Sequence, residues 1–226
     1  MDTTELIAKY RQESDDSTSP YLFDDAAILI LFNEAIHEAC TRKDLLFDST
    51  TTAVCQVDVV EDTRTYDVHE SITRITKAYL IDSAGNYIYL DIKDREELDR
   101  IDPTWRENEG EPEVLIFDET SITFNKTPEA DYTLKLEVYR TPLSTEDLTL
   151  VDADPEVLTP AIATAHHRYL HHYPLMVVYN SDEPELYAPQ KAKNHEDKFN
   201  RYFGLPPDAD RKRKSQENRP HRNKLW

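Results

Sequence analysis

Histidine is the side chain best suited to proton transfer or metal binding near neutral pH, and this sequence has eight of them. Four crowd into one stretch, His166, His167, His171 and His172 of HHRYLHH. His167 and His171 are four residues apart, so on a helix they share a face and could chelate a divalent ion. A catalytic centre also needs a third ligand and a carboxylate to orient the imidazoles. The nearest acids are Glu156, a few turns earlier, and Asp182, beyond Pro174. The stretch therefore reads as a polar helix face, suited to a subunit contact and gaining charge near pH 6. No metal and no cofactor are expected, and His167 and His171 are the residues that would carry a metal.

Other candidate chemistry is thinner. Glu34 and His37 match half of the Glu-x-x-His pattern of di-iron carboxylate proteins, and no second copy follows. Adjacent acids such as Asp24-Asp25 and Glu96-Glu97 are expected by chance among 45 Asp and Glu, and neighbours in sequence point apart. Three glycines, Gly85, Gly110 and Gly204, cannot write a phosphate-cradling loop or a G-x-S-x-G elbow. Cys40 and Cys55 give neither a disulfide framework nor a four-cysteine zinc site. Trp105 follows Pro103 in an acidic loop and suits a core plug or an interface anchor. No enzyme is expected.

Charge is unevenly placed. The net charge of −19 divides into −25 over residues 1–210 and +6 over RKRKSQENRPHRNKLW at 211–226. An acidic body repels nucleic acid over a Debye length of about 8 Å. The basic segment, ending in the apolar Leu225-Trp226, suits an anchor on an acidic partner. MDTTELIAKY shows no basic and apolar pattern of a secretory signal. The longest apolar run, Ala26 to Phe32, is too short for a membrane span. The expectation is a protein made in a reducing cytoplasm without membrane contact.

The elements that carry these residues follow from periodicity. Asp2 and Glu5 form a capping box before Leu6, Ile7 and Tyr10, which predicts a helix over 3–14. After a polar break, Ile28, Leu29, Phe32, Ala35, Ile36, Ala39 and Cys40 recur at helical spacing up to about Arg42. Ile30 and Leu31 make the first half of that helix apolar nearly all round, the mark of burial between neighbours or at an interface. Near residue 52 the period changes to two. Strands are predicted over 55–59, 65–68, 72–82, 87–92, 114–117, 121–124 and 132–139, with a hairpin turn at Ser83 to Asn86 and a short helix over 94–101. Thr159 and Pro160 suit the start of a helix with Ile162, Ala165, Tyr169 and Tyr173 on one stripe. Pro174 ends or kinks that helix. A last helix over 184–203, delayed by Pro189, stops at Gly204.

The expected fold is α+β. A helical bundle is made by N-terminal helices (1–50) and C-terminal helices (143–205). An inserted, mainly antiparallel β-sandwich or barrel occupies 51–142, and a disordered basic tail covers 206–226.

The layout resembles the bacteriophage head-to-tail adaptor family, also called connector or neck proteins. The likeness runs in order through four stretches. They are LILFNEAIHEACTRKDLLF, TYDVHESITRITKAYLIDSAGNYIYL, DREELDRIDPTWRENEGEPEVLIFDETSITFNKTPEADYTLKLEVYRTPL, and the helix pair broken near YNSDEPELYAPQKA. It spans about 4–205. The resemblance implies a non-enzymatic virion protein of the neck. Such proteins form a ring, usually dodecameric, beneath the portal and extend the DNA channel toward the tail. Its implied partners are the portal protein, tail or neck proteins and further copies of itself, with DNA passing through unspecifically. On this reading Arg211, Lys212, Arg213, Lys214, Arg219, Arg222, Lys224, Leu225 and Trp226 meet the portal. Ile28, Leu31 and Phe32 of the second helix serve the ring interface. The alternatives are a tail-completion protein of the same particle, a metal-dependent enzyme on His167 and His171, or an acidic mimic of DNA.

Overall fold

The computed structural model describes residues 1–150, 159–181 and 186–207. The chain folds into a helical unit, Met1–Leu46 with Thr141–Pro206, and a β unit that includes Phe47–Arg140. It is of mixed α/β class, with helices and one curled, half-barrel sheet.

In the helical unit, α1 spans Thr3–Ser14 and α2 spans Asp25–Lys43. The capping box at the start of α1 forms: the Asp2 carboxylate accepts from the Glu5 amide at 2.8 Å and Glu5 accepts from the Asp2 amide at 3.1 Å. Asp24 caps α2 by accepting from the Ala27 amide at 2.6 Å. The seven apolar residues with helical spacing are the buried face of α2. Arg11 ties the two helices. Its guanidinium donates to Asp16 at 2.8 Å, to Asp25 at 2.5 Å and to the Phe23 carbonyl at 3.0 Å, beneath the ring of Tyr21. Asn33 of α2 clamps the returning chain through both the amide and the carbonyl of Leu148, at 2.8 and 3.0 Å.

Three further helices complete this unit: α5 (Thr164–Leu170), α6 (His172–Tyr179) and α7 (Pro189–Phe203). Leu6 and Tyr10 of α1, Phe32 of α2, Leu170, Leu175 and Phe199 all join one apolar core. α5 starts four residues later than Thr159-Pro160 suggests, and Ala163 at its N-cap supplies no side-chain bond. Ile162, placed on the helical stripe by spacing, is instead buried in the turn before α5. Pro174 also departs from expectation. It is the third residue of α6, where the amide it lacks would have had no intrahelical acceptor. The proline therefore opens a new helix rather than closing the old one. α7 begins at Pro189, the first-turn position that suits proline.

The β unit contains β1 (Leu46–Asp48, whose first residue belongs to the helical unit), a one-turn helix α3 (Thr52–Cys55), β2 (Gln56–Val59), β3 (Thr65–Asp67), β4 (Ile72–Ile81), β5 (Tyr87–Ile92), α4 (Arg95–Ile101), β6 (Val114–Asp118), β7 (Ser121–Phe124) and β8 (Tyr132–Arg140). The strands form one sheet of order β1-β8-β4-β5-β6-β7-β3, with β2 also paired to β8. A single curled sheet thus stands where a two-sheet sandwich or barrel was expected. β5 and β6 pair in parallel through Asp91↔Val114 and Ile92↔Leu115, whereas the adjoining β4–β5 and β6–β7 ladders are antiparallel. Parallel neighbours need a crossover, and α4 with the turn Trp105–Glu107 supplies it. Trp105 is a core plug: it packs with Leu98, Val114 and Ile116 and donates from its indole to Asp99 at 2.7 Å. Cys55 ends α3 instead of opening a strand, because Asp48 accepts from the amides of Thr50 and Thr51 and turns the chain there.

Candidate functional site

The histidines come together, but in a different set from the one their spacing suggests. His167 is buried, and both ring nitrogens are engaged. Nε2 donates to the Ile162 carbonyl at 2.8 Å, and Nδ1 lies 3.1 Å from the Met1 nitrogen. It clamps the turn before α5 and does not turn toward His171. His171, His172 of α6 and His195 of α7 form the actual group. Nδ1 of His172 lies 3.1 Å from Nδ1 of His195, and the rings of His171 and His172 stand 4.0 Å apart. Burial pushes His171 down to about 4. Burial, then the neighbouring His171 and His195, push His172 down to about 3. His195 is lowered by burial and by Lys198. These imidazoles are neutral packing groups at pH 7.

Nothing else assembles a reaction centre among the described residues. No three His, Cys, Asp or Glu side chains there converge as metal ligands. His37 sits 3.5 Å from Asp147 at the surface. Cys40 and Cys55 are buried and not joined in a disulfide, and burial followed by the nearby Asp48 pushes the Cys55 thiol up to about 11. A thiol held protonated is a poor nucleophile. A polar hollow lined by Gln190, Lys191, Lys193, Asn194 and Asp197 offers no nucleophile beside a base. No described helix is long and apolar enough to cross a membrane.

The chain instead offers surfaces. Of the three α2 residues expected at a ring interface, Ile28 and Phe32 are fully buried in the core of their own unit, and Leu31 packs partly against it. The large apolar residue of α2 that stays exposed is Ile30, at 60%. The tail residues Arg211, Lys212, Arg213, Lys214, Arg219, Arg222, Lys224, Leu225 and Trp226 lie outside the described residues.

Two aromatic surfaces are not apparent from the sequence pattern alone. On the sheet, Tyr79 of β4 lies opposite Tyr89 of β5, with ring centroids 5.8 Å apart, and Tyr87 is 5.5 Å from Tyr79. Tyr87 and Tyr89 are 60% and 73% exposed. Their signal is Tyr87-x-Tyr89-x-Asp91, a period-two face with tyrosines on its outer side. On the helical unit, Tyr169 of α5 stacks on Tyr202 of α7 at 3.5 Å with 20° between the rings. Partly exposed tyrosines of this kind are typical anchors of protein contacts.

No curated protein matches the chain. The family model for SU10 adaptor protein matches residues 1–223, nearly the whole sequence. The chain therefore belongs to the SU10 adaptor protein family, a family of bacteriophage adaptors of the head-to-tail kind.

Proposed function

We propose that this chain is a structural virion protein of the neck. It forms a closed ring beneath the portal, continues the DNA channel, and joins capsid to tail. The observation that carries the reading is the family match over residues 1–223. The charge supports it. A chain with net charge −19 repels the phosphate backbone, so a lumen lined by it lets the duplex slide with few contacts to release.

A closed ring needs two different faces on each subunit. Ile30 on α2 and Tyr87 and Tyr89 of β5 are exposed groups able to serve such faces. The basic segment 211–226 with its Leu225-Trp226 end is the proposed portal contact, adding affinity as a tether. Electron cryo-microscopy of purified particles tests the reading. Density for this fold is expected between the portal vertex and the tail. Density for the chain elsewhere in the particle, or none at the neck, would overturn it.

A further inference from the structure

One stretch of this acidic chain carries no acid at all. Between Thr159 and Ser181 there is no Asp or Glu, although 45 of the 226 residues are acidic. The stretch holds α5 and α6, and its surface joins the last turns of α2 and α7. There the stacked Tyr169 and Tyr202 are flanked by cations on both sides. The Arg168 guanidinium lies 4.8 Å from the Tyr169 ring centre, and the Lys43 ammonium lies 4.4 Å from that of Tyr202. Lys43 also donates to the Tyr202 carbonyl at 3.0 Å. His166 holds the stack from the side, its Nδ1 2.9 Å from the Tyr202 hydroxyl. Both cations are exposed, and among the described residues neither pairs with a carboxylate. Two aromatic rings fixed between two exposed cations make a rigid surface that an anionic partner can cover with little ordering cost.

The complement is on the same chain. Residues 107–119 contain Glu107, Glu109, Glu111, Glu113, Asp118 and Glu119 and not one Lys or Arg. All six acids are exposed. Glu113 and Asp118 are engaged by Lys126 and Arg95, while Glu107, Glu109, Glu111 and Glu119 have no ion-pair partner among the described residues. Among the described residues each subunit thus presents an aromatic face whose two cations pair with no carboxylate, and an acidic run through β6 in which four exposed carboxylates pair with no base.

We propose that the Lys43–Tyr202–Tyr169–Arg168 face docks a second copy of this chain, taking the acidic run 107–119 of that copy. The inference rests on the ring reading and names the two faces that would close it. Unlike faces meeting head to tail generate a ring, and opposite charges steer the approach and reject the wrong orientation. Duplex DNA is the competing anion, and the net charge of −19 disfavours it.

The test uses purified particles. A zero-length carbodiimide should couple Lys43 to Glu107, Glu109 or Glu111, and the product should run at twice the mass of the chain. Incorporation of Lys43→Glu with Arg168→Glu into particles should fall about tenfold or more. Adding Glu109→Lys and Glu111→Lys to the same chain should restore it. Unchanged thermal unfolding of each variant separates this from misfolding. Full incorporation of the reversed variant at ring stoichiometry would overturn the inference alone, leaving the adaptor reading intact. Absence of the wild-type chain from particles would remove both. Retardation of a short DNA duplex by the wild-type chain that is lost on reversal would also overturn it, by giving the face to nucleic acid.

Discussion

Arg140 and Asp48 show what a single buried pair does in the β unit. Their side chains are 6% and 5% exposed, and Nε donates to the carboxylate at 2.7 Å. Burial alone would raise the Asp48 carboxyl, but the amides of Thr50 and Thr51 and the Arg140 guanidinium hold it well below the usual carboxylate range. Removing one partner strands the other charge. Arg140→Met is expected to destabilise the unit by about 3 kcal/mol, read as a lower urea midpoint with an unchanged slope.

The histidine group sets a pH dependence. His171 and His172 are neutral when folded, with values pushed down to about 4 and about 3. In the unfolded chain they titrate near 6.5. The unfolded state therefore binds more protons below pH 6.5, and stability falls as pH drops from there toward 4. The slope approaches about 1.4 kcal/mol per pH unit for each histidine that binds one proton more in the unfolded state. Glu13 of α1 favours protonation, whereas Lys9 of α1 and Lys191 and Lys198 of α7 oppose it. The melting temperature should be level from pH 8 to 7 and fall by pH 5, and His171→Gln with His172→Gln should flatten that fall. An equal fall in the double variant would show that other groups carry the dependence.

Among the elements, α2 is the most legible in the sequence. Seven apolar residues at helical spacing and Asp24 before them define both its face and its start. Spacing alone does not separate a face buried by the chain itself from one buried by a neighbour, which is why Ile28 and Phe32 read as interface. Phe32→Ala should cost about 3–5 kcal/mol, while Ile30→Ser should change monomer stability by less than about 0.5 kcal/mol. Comparable losses from the two substitutions would contradict the placement of the core. Pro174 misleads because proline stops a helix only in its interior and suits the first turn of the next one. Thr159-Pro160 misleads for the converse reason, since good cap chemistry does not compel a helix when the core draws in Ile162. At Thr159-Pro160 tertiary demand outweighs local preference.

At the scale of the molecule, strand existence is readable from period two, and sheet topology is not. The parallel β5–β6 pair depends on a crossover through α4 and on the packing of Trp105 with Leu98, Val114 and Ile116, which neither strand's own period encodes. The site is legible only by default. The exposed aromatic surfaces depend on which face of each strand or helix stays bare. The tyrosines of β4 and β5 and the Tyr169–Tyr202 stack emerge only once the core has claimed its own residues. The family match then supplies the class of role that composition leaves open.

The central claim is that this adaptor protein closes one ring in each particle. Its most direct test is the copy number of the chain in purified virions, measured by quantitative mass spectrometry against the major capsid protein. One closed ring predicts a small fixed number, on the order of a dozen copies per particle. A number scaling with capsid or tail length, or no copies at all, would contradict it.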